Sequence, residues 1–77
     1  MKNSQAAMPA YNYSQLKART AELGKTDKAV AMAAGMTPST YSLKLNGKGE
    51  FTQEQIVRIM EYLDIRSADV HRYFFSL

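Results

Sequence analysis

The chain has no cysteine, so neither a disulfide framework nor a thiolate metal site can supplement its core. It has one histidine, His71, with Asp69 two residues away on a different helical face, which leaves no ligand set for a metal. No apolar run approaches the roughly 18 to 20 residues needed to cross a bilayer. The N-terminus carries one lysine, Lys2, with no apolar stretch behind it, unlike a secretory signal. A soluble cytoplasmic protein with no membrane contact is the expectation. No segment alternates apolar and polar residues as a half-buried strand does. Catalytic signatures are missing too. Gly-x-Ser-x-Gly does not occur, and Asn46-Gly47-Lys48-Gly49 lacks the rest of a phosphate-binding loop. A chain of 77 residues offers little room for a substrate pocket. The expectation is a protein that is not an enzyme, with no cofactor, metal or small-molecule substrate.

The length allows one domain with a modest core, so stability must come from helix packing, with or without a second subunit. Ten basic residues against seven acidic ones give a net charge of +3, a mild excess that fits an anionic partner without demanding one. The distribution is more telling. Between Met36 and Gly49 the only charges are Lys44 and Lys48, while Glu54, Glu61 and Asp64 fall together further on.

Residues 1–12 are polar and without period, and read as a flexible N-terminal arm; Met8 would serve equally as a start. The domain is expected over 13–77. Tyr13, Leu16, Thr20 and Leu23 recur at helical spacing, and Gly24 supplies a stop. Thr26 caps a second helix through Ala34, rich in small residues, which Gly35 ends. Thr37 followed by Pro38 starts a third helix, because proline is preorganised for the first helical position. That helix runs to about Asn46, and Asn46-Gly47 makes a turn. Thr52 caps a fourth helix, with Ile56, Ile59, Met60 and Leu63 on one stripe. Ser67 caps a fifth, where Val70, Tyr73, Phe74 and Leu77 repeat the pattern. Met32, Met36 and Met60 read as core filler, and Tyr41 as a core residue with a polar tip. Phe75 points off the buried stripe. Either the C-terminus folds back over it, or Phe75 and Leu77 form an apolar contact to a second subunit.

Thr26 to Lys48 has the chemistry of a helix-turn-helix: small residues such as Ala31 where two helices cross, a glycine for the tight turn, and small polar residues opening the second helix. On a helical wheel Pro38, Ser39, Ser42, Leu43 and Asn46 fall in one arc, with Tyr41 and Leu45 away from it.

Ala31, Gly35 and Thr37, the run Ser42-Leu43-Lys44-Leu45-Asn46-Gly47-Lys48, Phe51, Glu54-Gln55-Ile56 and Tyr73-Phe74-Phe75 together carry a likeness. From Tyr13 to Phe75 the chain resembles the lambda-repressor/Cro-like (XRE-type) helix-turn-helix regulators, within them the short phage and prophage proteins. The resemblance implies an all-α, compact five-helix domain whose second helix crosses the phosphate backbone and whose third enters the major groove of double-stranded DNA. It implies base-facing roles for Pro38, Ser39 and Leu43 with Ser42 between them, and phosphate contacts for Thr37, Asn46 and Lys48. Asp27 stands where such proteins place a phosphate-binding glutamine, so Lys28 would take over that contact. Lys44 stands where they often have an apolar core residue. Either its stem is buried and its amine reaches out, or the helix is rotated; exposed, it is a further phosphate candidate.

The first expectation is thus a DNA-binding transcriptional regulator of Cro type, a repressor acting as a homodimer on paired half-sites. The second is a protein-interaction module that binds a partner repressor and modulates its DNA occupancy. Pro38, Leu43 and Asp27 favour the second, since each is a poor DNA ligand.

Overall fold

A computed structural model describes residues 11–77. Most of the expected arm, residues 1–10, lies outside the described residues. Helix α1 (Ser14–Glu22) starts behind Asn12, whose side-chain oxygen accepts the Ser14 N–H at 2.8 Å. Threonines start the next three helices. The hydroxyl oxygens of Thr26, Thr37 and Thr52 accept the N–H groups of Ala29, Thr40 and Gln55 at 3.1, 3.2 and 3.1 Å. They open α2 (Asp27–Ala33), α3 (Pro38–Leu45) and α4 (Gln53–Tyr62). At α4 the Gln55 side chain also reaches back to the Thr52 N–H at 2.9 Å, completing a capping box.

Four helices also end alike. Gly24, Gly35, Gly47 and Asp64 have φ of 70°, 79°, 80° and 54°, and the next residue's N–H bonds back across the last turn. Those bonds run from Lys25 to Thr20, Met36 to Ala31, Lys48 to Leu43 and Ile65 to Met60, at 2.8 to 3.0 Å. This left-handed stop satisfies carbonyls that a helix end would leave open.

The fifth helix begins differently from the expectation. Ser67–Asp69 form a 3-10 turn entered from Arg66, and α5 (Val70–Phe74) follows with no side-chain cap. Ser67 caps nothing. A single turn of tighter helix suffices there because Tyr73 and Phe74 are anchored by burial.

The result is an all-α domain of five helices, without a strand among the described residues. α2 packs on α3 and α4, and α1 packs on α5. Leu16, Val30, Ala31, Tyr41, Ile59 and Leu63 are the centre of one core. Ala31 is fully buried, as the close approach of α2 to its neighbours requires. Phe51, in the α3–α4 loop, pins the two halves together. Its ring meets Tyr13 and Phe74 edge-on at 5.4 and 5.7 Å and Tyr41 at 5.8 Å.

Three apolar assignments fail. Met36 and Met60 are buried, but Met32 is 65% exposed, because α2 turns that side outward. Leu23 is exposed at the end of α1, and Leu77 lies beyond α5, 79% exposed. Packing also extends to residues assigned to the arm. The Asn12 N–H bonds the Ser76 carbonyl at 2.7 Å, and Tyr11 meets Phe75 edge-on at 5.8 Å.

Candidate functional site

The α2–turn–α3 unit is joined by Ala34, Gly35, Met36 and Thr37. Met36 is buried in the turn and anchors it. Tyr41 and Leu45 face the core, so Pro38, Ser39, Ser42 and Leu43 are brought together on the exposed side of α3. Leu43 is 52% exposed, a large apolar side chain at one edge of that face.

Thr37, Asn46 and Lys44 around this face are engaged within the domain. The Thr37 hydroxyl accepts from the Thr40 N–H and donates to Thr40 Oγ1 at 3.0 Å. The Asn46 amide Nδ2 donates to the Ser42 carbonyl at 2.8 Å, capping its own helix. Lys44 is part-buried, with its stem against Gly49 and its Nζ donating to Gln55 Oε1 at 2.9 Å. The same amine lies 5.9 Å from the centre of the Phe51 ring. Of the first arrangement expected for Lys44 the structure shows the packed stem, while the amine is held by Gln55 and does not reach out to solvent alone. Lys48 and Lys28 are exposed, at the end of α3 and in the first turn of α2. Asp27 beside Lys28 sits at the positive end of the α2 dipole.

Tyr41 has its phenol pushed well up from the usual 10.0, by burial first and by Asp27 second. The Tyr13 phenol is raised as well, by burial and then by Tyr11 and Glu50. Both stay neutral at ordinary pH, so neither adds negative charge near α3. Among the described residues no group of three His, Cys, Asp or Glu could hold a metal ion, and no helix is long and apolar enough to cross a membrane.

Phe75 is partly covered by Tyr11 and His71 and remains 39% exposed, while the C-terminal segment pairs with residue 12. Sequence reasoning missed a groove between α4 and α5 into which Val57 and Phe75 project. The signal was there in Val57, one position off the buried stripe of α4.

With this geometry in place, the sequence matches over residues 8–77 the family described as "Protein of unknown function (DUF739)". The chain belongs to that family. The match starts before Tyr11, in keeping with the packing of Tyr11 and Asn12 on the domain. The structure is similar to the solution structure of the modulator of repression (MOR) of the temperate bacteriophage TP901-1 from Lactococcus lactis. The TM-score is 0.71 at 33% identity, covering 86% of this chain and 89% of that one. No curated protein matches the sequence. The likeness joins this DUF739 member to a protein of phage repression and extends over nearly the whole domain.

Proposed function

We propose that this protein is a regulator of phage repression that acts by binding a partner repressor protein through the exposed face of α3. The observation that carries the reading is the likeness, in sequence and fold, to a modulator of repression. The chemistry of the face supports it. A half-exposed leucine on a helix face that also carries a proline is a good protein contact, because it buries apolar area and asks for no hydrogen bond. As a DNA reader the same face is poor: Pro38 cannot donate to a base and Leu43 offers only contact to a thymine methyl.

DNA binding is the second reading, favoured by the helix-turn-helix arrangement of α2 and α3 and by the exposed Lys28 and Lys48 at its ends. Thr37 and Asn46 already spend their hydrogen bonds on the protein's own backbone and on Thr40, which lowers their worth as phosphate ligands.

Calorimetric titration separates the two. The protein is mixed with the purified repressor of the same phage region, and separately with random duplex DNA at two salt concentrations. The proposal expects saturable binding to the repressor that Leu43→Ser weakens about tenfold, or about 1.4 kcal/mol, and that Lys28→Ala with Lys48→Ala leaves near wild type. Binding to duplex with a steep negative salt dependence, weakened alike for all sequences by Lys48→Ala, would establish the DNA reading instead.

A further inference from the structure

A groove runs between α4 and α5, and none of its lining residues belongs to α3. Its apolar part is formed by Ile56, Val57, Ile65, Val70 and Phe75. Val57 is 52% exposed, so this is surface that the fold leaves uncovered. Gln53, Met60 and Ser67 also line it, its charged groups are Glu61 and Asp64, and no lysine, arginine or histidine contributes to it. In a chain of net charge +3, that makes the groove locally acidic. Neither carboxylate is in an ion pair among the described residues, where the paired acids are Glu22, Glu54 and Asp69; the Arg19 guanidinium near Asp64 bonds its main-chain carbonyl.

We propose that the α4–α5 groove binds an amphipathic helix of a protein partner, with an apolar stripe flanked by lysine or arginine. An apolar channel between two helices takes a third helix through residues spaced i, i+3, i+4 and i+7. Covering Glu61 and Asp64 with apolar or acidic groups would strip them of water without compensation, whereas basic flanks supply it. The same argument disfavours a second copy of this chain seated groove to groove, since each copy would bring carboxylates and no cation. The groove is independent of the reading given to α3, being built from other residues.

The test titrates the isotope-labelled full chain with a synthetic helical peptide of about 12 residues, roughly 18 Å long. It carries leucines at i, i+3, i+4 and i+7 and lysines on both flanks. A second peptide has glutamates in place of the lysines. The expected result is saturable amide shifts at Val57, Glu61, Ile65 and Val70 with the basic peptide, and affinity lower by about tenfold with the acidic one. Glu61→Lys with Asp64→Lys reverses that order. Val57→Lys abolishes basic-peptide binding, with unchanged α3 signals reporting an intact fold. Equal affinity for the two peptides overturns the proposal, as do shifts confined to α3 or no saturation by about 1 mM peptide. It is equally overturned if the groove signals move with protein concentration alone, which marks a second copy. Movement of those signals on deletion of residues 1–10 would show the chain's own N-terminal segment in the groove, and would overturn it too.

Discussion

The Arg19 guanidinium closes the C-terminal end of α4: its Nε donates to the Leu63 carbonyl at 3.0 Å. Its Nη2 donates to the Asp64 carbonyl at 3.2 Å, 45 residues along the chain. One α1 side chain therefore supplies hydrogen bonds that the end of α4 lacks, and its positive charge sits at the negative end of the helix dipole. The accompanying surface pair with Glu22 adds little by comparison. Arg19→Met keeps the stem and removes the donors. Urea unfolding should show a loss of about 1–2 kcal/mol. Arg19→Lys should recover only part, because an ammonium lacks the fork that spans two carbonyls.

Asp64 occupies the left-handed position that glycine fills at the ends of α1, α2 and α3. An aspartate there carries steric cost, and it places a negative charge at the negative end of the α4 dipole. Asp64→Gly should raise stability by about 0.5–1 kcal/mol in thermal unfolding. The substitution also removes one groove carboxylate, so affinity for a basic helix should fall while stability rises. A fall in both would mean that the carboxylate holds the fold.

Gln55 Oε1 accepts from both the Thr52 N–H and Lys44 Nζ, each at 2.9 Å, linking the start of α4 to α3. Gln55→Ala opens the capping box and should cost about 1 kcal/mol in denaturant unfolding. Lys44→Met should stay within about 0.5 kcal/mol of wild type, since the stem keeps its packing and the Thr52 cap is untouched.

Alkaline pH probes Tyr41. Its phenol is raised in the folded state above the ordinary 10.0, mainly by burial. The unfolded chain therefore loses this proton first, and the stability it represents is fully present below about pH 10 and lost as pH rises beyond it. Unfolding free energy measured from pH 8 to 11 should fall at the upper end, and Tyr41→Phe should flatten that fall. A similar slope in the variant would assign the effect elsewhere, Tyr13 being the next candidate.

The helices were legible where local chemistry decides them. Thr26, Thr37 with Pro38, and Thr52 act as caps because a hydroxyl three residues before an open N–H needs nothing distant. The exposed set Pro38, Ser39, Ser42 and Leu43 was equally legible, since burial of Tyr41 and Leu45 leaves those positions outside. Ser67 misled because a serine before an apolar stripe has the composition of a cap, whereas the short α5 is held by the burial of Tyr73 and Phe74. Met32 misled in the opposite way. Its type suits a core, but the rotation of α2 on its neighbours decides which side faces water.

By itself, then, the amino-acid sequence determined an all-α chain, its helix starts and stops, and the face that α3 leaves exposed. These depend on spacing and on contacts within one turn. Only the tertiary structure decided that Arg19 would close α4, that Phe51 would join three other aromatic rings, that Lys44 would be held by Gln55, and that α4 and α5 would leave an acidic-edged apolar groove. Each of those joins residues separated by a turn or more of chain, and helix periodicity carries no information about the angle at which one helix rests on another.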